Sequence, residues 1–147
     1  MLVDTRDGRL QAAGSALRVR ADGDRAFLTY KGPVIPGPFK TREEIETQAG
    51  AAGPLLAILA TLGFTPVFRY EKYREEFAGG GAVIAIDDTP IGAFVEIEGE
   101  AAAIEALAAQ LGFLPADFVL ASYRGLFAAA GAPGASTDML FADADRW

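Results

Sequence analysis

The chain of 147 residues contains neither cysteine nor histidine, and these two absences exclude many of the sites that enzymes commonly use. Without cysteine there is no disulfide and no zinc–thiolate centre. Without histidine there is no Ser-His or Cys-His nucleophile pair and no imidazole metal ligand. The ligands that remain for a metal are carboxylate oxygens, which suit hard cations such as Mg²⁺ or Mn²⁺.

A long uninterrupted apolar run is also missing from the chain. The longest, residues 53–67, contains glycine and proline and is shorter than the roughly 20 residues that span a bilayer. The first ten residues do not resemble a secretory signal. With 51% hydrophobic residues the chain has enough apolar material for one core. We therefore expect a single soluble domain, cytoplasmic and without membrane contact.

Positive charge is scarce, since 13 Lys and Arg stand against 20 Asp and Glu and give a net charge of −7. A nucleic-acid partner is not expected, because such binders need a basic surface that displaces counterions from phosphates. The bases are unevenly placed, however, and six of them fall in segments with strand-like alternation. These six are Arg18, Arg20, Lys31, Arg42, Lys72 and Arg74.

Carboxylates are concentrated in residues 83–99, VIAIDDTPIGAFVEIEG. Successive side chains of a strand point to opposite faces, so Glu96 and Glu98 share one face and two apolar residues share the other. The Thr-Pro-Ile-Gly sequence at 89–92 is typical of a turn and predicts a hairpin. The hairpin would bring Asp87 close to the two glutamates and form a cluster of three carboxylates.

Helices are predicted over residues 54–62 and 100–111, which carry apolar residues at helical spacing and both end in Leu-Gly-Phe. A third helix is expected over 118–130, with Asp117 as its N-cap. Residues 66–77 alternate as one long strand. Residues 131–147 are expected to form a loop and tail.

The predicted strands place acids and bases on shared faces, with apolar residues on the other side. Glu44 and Glu46 join the three carboxylates of the hairpin on these charged faces. If the sheet closes into a barrel, its polar lumen would suit a polyanion together with its metal ion. The alternative is a half-solvated sheet whose charges pair across strands without further function, and the pattern leaves both interpretations open.

Five segments, in the same order, resemble the CYTH family, which groups class IV adenylyl cyclases with thiamine triphosphatases and inorganic triphosphatases. They are LRVR at 17–20, LTYKGP at 28–33, REEIE at 42–46, LGFTPVFRYEKYR at 62–74 and AIDDTPIGAFVEIEG at 85–99. The class IV adenylyl cyclases look most similar. The resemblance implies one domain over 1–147 of the α+β class, an antiparallel β-barrel (the triphosphate tunnel) with helices packed outside.

The resemblance also implies roles for the charged residues. The six bases named above would bind the triphosphate, which would be ATP or another triphosphate compound. Glu44 and Glu46 would lie in the tunnel as candidate catalytic residues. Asp87, Glu96 and Glu98 would hold Mg²⁺ or Mn²⁺. The expected function is a metal-dependent enzyme acting on a triphosphate, either a cyclase or a hydrolase. The alternative is a catalytically impaired module that still binds nucleotides or polyphosphate.

One family feature is missing from the residues at hand. Family members begin with a strand carrying Glu-x-Glu-x-Lys, whereas the sequence MLVDTRDGRL has no such pattern. The resemblance therefore implies a barrel that is one strand short.

Unpaired strand edges recruit other strands, so we expect this chain to form a homodimer through its open edges or to aggregate. Size-exclusion chromatography with light scattering checks this expectation. A stable monomer over a wide concentration range would contradict it.

Overall fold

Among the described residues the strands form two hydrogen-bonded sheets, one in each of two compact units. The computed structural model describes residues 1–131 and 138–142. The first unit, Met1–Arg69, contains a five-stranded sheet, and the second, Tyr70–Trp147, contains a three-stranded sheet. Both are antiparallel, with helices in each unit, so the predicted α+β class with antiparallel sheets is confirmed. Most of the predicted tail at 131–147 lies outside the described residues.

The first unit has seven elements among its described residues. They are β1 (Leu2–Thr5), α1 (Arg9–Ala12), β2 (Ala16–Asp22), β3 (Arg25–Lys31), β4 (Glu44–Ala49), α2 (Ala52–Thr61) and β5 (Phe64–Phe68). The strand order is β4-β3-β2-β1-β5. β2 and β3 pair as an antiparallel hairpin, with Arg18 opposite Thr29 and Arg20 opposite Phe27. The helix predicted at 54–62 is confirmed as α2.

The apolar face of the five-stranded sheet is covered by α2. Val3 and Val19 of the sheet and Leu59 of the helix form the buried core, each 6% exposed or less. Arg18 and Arg20 flank Val19 in sequence, so alternation directs them to the other face. The charged face that the alternation predicts therefore exists in this unit, and the helix lies behind it.

The second unit has six elements in its described part. They are β6 (Tyr73–Gly79), β7 (Ala82–Thr89), β8 (Gly92–Gly99), α3 (Ala101–Gln110), a 3₁₀ turn (Pro115–Asp117) and α4 (Tyr123–Ala129). The two-residue β6–β7 turn consists of Gly80 and Gly81 with φ of 62° and 79°, values that favour glycine. The predicted acidic hairpin is confirmed as β7 and β8, and the helix predicted at 100–111 is confirmed as α3.

Two local predictions need correction. Residues 66–77 do not form one strand: β5 pairs with β1, whereas β6 starts at Tyr73 and pairs with β7. The prediction of one strand was wrong because alternation shows only which face of a strand a side chain occupies. It does not show with which other strand the segment pairs. The third helix starts later than expected, because Asp117 accepts a hydrogen bond from the Leu114 amide within the 3₁₀ turn, and Ser122 caps α4 instead.

No helix among the described residues is long and apolar enough to cross a lipid bilayer.

Substitution of Leu59 by alanine tests the core of the first unit. Leu59 is 6% exposed and packs in the core, so we expect Leu59→Ala to lower the free energy of unfolding by about 2–5 kcal/mol. The neighbouring Ile58 is 59% exposed, and Ile58→Ala should change it by only about 0.5 kcal/mol. Urea denaturation followed by circular dichroism measures both. Equal losses would contradict the orientation of α2.

Candidate functional site

The charged face of the first unit brings together five of the six predicted phosphate-binding and catalytic side chains of this unit. They are Arg18, Arg20, Lys31, Glu44 and Glu46. Lys31 lies opposite Glu44, and its Nζ donates to Oε1 of that residue at 2.7 Å. Thr29 lies between Arg18 and Glu46, and its hydroxyl donates to Glu46 Oε2 at 2.6 Å. The two predicted catalytic glutamates therefore each contact a neighbour on β3.

Glu46 also accepts hydrogen bonds from two guanidinium groups. Nη2 of Arg18 lies 3.3 Å from Oε2, and Nη2 of Arg20 lies 3.4 Å from Oε1. The Thr29 hydroxyl, followed by the two arginines, holds the pKa of Glu46 below its usual range, although partial burial opposes this. Arg20 also stacks on Phe27, with Cζ 4.2 Å from the ring centroid. Glu46 is thus an ionised counter-charge that holds two bases side by side.

Arg42 differs from the other predicted bases because it precedes β4. Its Nε is buried and has no hydrogen-bond partner in the described part of the chain. A buried donor without a partner is costly. An anion bound next to this guanidinium would supply the missing acceptor.

The second unit is centred on Asp87, which is 0% exposed. Its Oδ1 accepts from Nε of Arg74 at 2.7 Å. Its Oδ2 accepts from Nη2 of Arg74 at 2.7 Å, from Nζ of Lys72 at 2.6 Å and from the Tyr123 hydroxyl at 2.6 Å. The register of the sheet explains the arginine contact, since Arg74 of β6 lies directly opposite Asp87 of β7.

The pKa values of this cluster move in opposite directions. Burial would raise the pKa of Asp87, but the hydrogen bonds from Arg74, Lys72 and Tyr123 outweigh it and hold that pKa well below its usual range. Burial, together with donation to Asp87, raises the pKa of the Tyr123 phenol far above its usual value. At neutral pH the cluster therefore consists of a carboxylate, two cations and a neutral phenol.

Three glutamates surround the outer edge of Arg74. Glu96 Oε2 accepts a short hydrogen bond from Nη2. Glu76 and Glu98 each lie near Nη1, at 3.4 and 3.5 Å. Their side chains are more exposed than Asp87, at 34% for Glu96, 57% for Glu76 and 63% for Glu98. Asp87, Glu96 and Glu98 therefore each contact the same guanidinium, that of Arg74.

Sequence reasoning missed three side chains that take part in these networks: Thr29, Glu76 and Tyr123. Thr29 and Glu76 could have been found from the sequence. Each lies two residues from a predicted site residue of its own strand, Lys31 and Arg74 respectively, and therefore shares its face. Tyr123 could not, because nothing in the pattern of residues 118–130 indicates which strand its helix packs against. Asp138 to Ala142 carry none of the predicted site residues.

A family model described as the CYTH domain matches residues 2–114 of this chain. The chain belongs to the CYTH domain family. The protein named "Putative adenylate cyclase MJ0240", from Methanocaldococcus jannaschii, is 37% identical over 93 residues, which are 63% of this chain and 53% of that protein. The chain thus spans about half the length of this curated relative.

Solved structures show the same fold as this CYTH domain. The PH1819 protein of Pyrococcus horikoshii OT3 superposes with a TM-score of 0.74 at 29% identity, over 88% of this chain and 81% of that one. A Vibrio parahaemolyticus protein, whose name also proposes an adenylate cyclase, superposes with a TM-score of 0.70 over 86% of this chain and 77% of that one. At 21% identity the second likeness shows the fold alone.

The CYTH family is in general one of metal-dependent triphosphate tunnel proteins, and a hard divalent cation needs several carboxylate oxygens close together. Within residues 1–131 and 138–142, no three acidic side chains are grouped as a metal site. Asp87 fits poorly, because its two oxygens already accept four hydrogen bonds, three of them from cations. Glu96 and Glu98 fit better, because they are partly exposed carboxylates on one face of β8.

The stability of this CYTH domain should fall in acid. A carboxylate with a lower pKa in the folded than in the unfolded protein stabilises the fold at every pH above its unfolded pKa, which is about 3.9 for Asp and about 4.3 for Glu. This stabilisation is lost as the pH falls through the folded pKa. Asp87 and Glu46 both have lowered pKa values. Urea midpoints measured from pH 7 down to about pH 2 should therefore decline below about pH 5. An Asp87→Asn variant should show a flatter decline than the wild type, and parallel curves would contradict the assignment.

Proposed function

We propose that this CYTH domain acts on a triphosphate compound as part of a metal-dependent enzyme, as an adenylyl cyclase of the class IV type or as a triphosphatase. The observation that carries the proposal is the arrangement of charge within each unit. Lys and Arg side chains share one sheet face with glutamates, and in the first unit the opposite face packs on a helix. Family membership and the name of the curated relative support a nucleotide such as ATP as substrate.

The bases would bind the phosphate chain. Arg42 supports this role most directly, because its buried Nε lacks an acceptor among the described residues. Arg18, Lys31 and Lys72 are also well placed, since each side chain is about three-quarters buried or more and is already oriented by an acidic neighbour. Cations held in fixed positions lose little entropy when they bind an anion. The closed triphosphate tunnel stays a prediction from the family resemblance.

The acidic residues would divide into two roles. Glu96 and Glu98 would hold Mg²⁺ or Mn²⁺, which when bound would neutralise phosphate charge and polarise the bond that breaks. Glu44 is the better candidate for a general base, because it contacts one cation, Lys31, and its side chain is 43% exposed. Glu46 is less suited, because its lowered pKa makes it a weak proton acceptor. Glu44 would accept the proton of the attacking water in hydrolysis or of the ribose hydroxyl in cyclisation.

A second candidate function is binding without turnover. It is favoured by the engagement of Asp87 and of Glu46 with cations within their own units, and by the lack of a grouped set of three acidic ligands in the described residues. A module of this kind would hold a nucleotide or polyphosphate through its bases alone. It would bind without a divalent cation and would not hydrolyse or cyclise its ligand.

Turnover assays separate these two candidates. We expect phosphate release from tripolyphosphate or pyrophosphate release from ATP, in either case dependent on Mg²⁺ or Mn²⁺. Arg42→Ala should lower kcat/KM about tenfold, the loss of about 1.4 kcal/mol of transition-state stabilisation. Arg25→Ala is the matched control, because Arg25 is exposed at the start of β3, and it should retain wild-type rates.

Calorimetric titration with tripolyphosphate completes the comparison. Micromolar binding with no turnover under either metal would favour the binding module and contradict the enzyme. Neither binding nor turnover would contradict both functions.

A further inference from the structure

Asp87 is a buried carboxylate whose hydrogen-bond acceptor positions are all filled by donors of the protein itself. A carboxylate offers about four acceptor positions, and Asp87 uses four, on hydrogen bonds of 2.6–2.7 Å from Lys72, Arg74 and Tyr123. It is 0% exposed. A divalent cation at this carboxylate would have to displace these donors and would lie next to two positive charges.

We infer that Asp87, held by the Tyr123 hydroxyl, is a positioning residue that orients Lys72 and Arg74 toward the phosphate chain and is not a ligand of the divalent cation. The inference rests on the proposed function, because it assigns roles within the same site. It also separates Asp87 from Glu96 and Glu98, with which the family resemblance groups it.

The contacts of Arg74 show how such orientation works. Nε and Nη2 form a two-pronged contact with the buried Asp87, which fixes the plane of the guanidinium. The opposite edge, Nη1, has only the longer contacts to the exposed Glu76 and Glu98. Arg74 is thus anchored at one edge, and the other edge is available to a phosphate oxygen.

Lys72 is oriented by two groups of the same cluster. Its Nζ donates to Asp87, and it lies 5.2 Å from the centroid of the Tyr123 ring. An ammonium group has three donors, so the hydrogen bond to Asp87 leaves two for a ligand. Lys72 and Arg74 place two positive charges directly against Asp87, whereas Glu76, Glu96 and Glu98 lie at the outer edge of Arg74. A metal ion at Asp87 would meet these two cations at contact distance.

Tyr123 is held firmly enough to act as the support. It is the first residue of α4, directly after the N-cap Ser122, whose side chain accepts from the Gly125 amide. Its ring packs edge-on against Phe94, with centroids 5.5 Å apart. The hydroxyl of this packed ring donates to Oδ2 of Asp87 at 2.6 Å.

Separate measurements of anion and metal affinity test the inference. Tripolyphosphate binding is measured by calorimetry in metal-free buffer, and Mn²⁺ binding by electron paramagnetic resonance without phosphate. Tyr123→Phe keeps the ring and removes only the hydroxyl. It should weaken tripolyphosphate binding by about 3- to 10-fold, as expected for the loss of one hydrogen bond of ordinary strength, and leave Mn²⁺ affinity within about twofold.

Three further variants complete the test. Tyr73→Phe is the matched control, because Tyr73 is 49% exposed and stacks on Phe141, and it should change neither affinity. Glu96→Gln should weaken Mn²⁺ binding by about tenfold or more. Asp87→Asn should weaken tripolyphosphate binding and spare Mn²⁺ binding. If Asp87→Asn does not fold, Tyr123→Phe decides alone.

Four results would count against the inference. Wild-type tripolyphosphate affinity in Tyr123→Phe would overturn it, as would loss of Mn²⁺ affinity in a folded Asp87→Asn variant. Equal weakening of both affinities together with a lower melting temperature would show a merely structural role. These three leave the proposed function intact. A wild-type protein that binds neither tripolyphosphate nor Mn²⁺ would overturn the proposed function and, with it, this inference.

Discussion

The pairing of the buried Asp87 with Arg74 of the neighbouring strand, and with Lys72 just before that strand, is the interaction on which the second unit depends. Asp87 has no contact with solvent, and an ion in that position is tolerated only when its charge and its lone pairs are all satisfied. Arg74 and Lys72 supply the charge, and Tyr123 supplies a further donor from α4. Loss of one partner would leave a buried charge, which costs about 3–5 kcal/mol. The cluster therefore joins β6, β7 and α4 as one structural unit.

The first unit uses the same order of elements with a different residue in the middle strand. Both units run from a strand that carries arginine, through a central strand, to a strand with Glu-Ile-Glu, and then to a helix followed by Leu-Gly-Phe. Thr29 occupies the central strand opposite Arg18, where the second unit has Asp87 opposite Arg74. Thr29 carries no charge, so Glu46 must neutralise the arginines of the first unit.

This difference has a consequence for the acidic residues. In the second unit the central aspartate already balances one cation, so Glu96 and Glu98 are left as partly exposed carboxylates with a single arginine between them. In the first unit Glu46 is engaged by two arginines and a hydroxyl. Two Glu-Ile-Glu strands of the same sequence pattern thus offer different chemistry: one holds bases in place, and the other retains oxygens for a cation.

Much of this could be predicted from the sequence, because the period of a strand or helix is a local property. Alternation assigned Arg18, Arg20, Glu96 and Glu98 to charged faces, and apolar spacing with a terminal glycine located α2 and α3. The absence of cysteine and histidine limited any metal site to carboxylates. The five matching segments indicated the CYTH family, which the match over residues 2–114 confirms.

The tertiary structure decided which strands pair and which side chains meet, because the period of a strand or helix does not determine either. Only the fold shows that the alternation of residues 66–77 belongs to two strands in different sheets, that Tyr123 reaches Asp87, and that Arg74 lies among the carboxylates. A period determines which face of a strand a side chain occupies, whereas its partner depends on contacts between residues far apart in the chain. The sequence by itself therefore determined the types of charge and the faces that carry them, and the fold determined which charges meet.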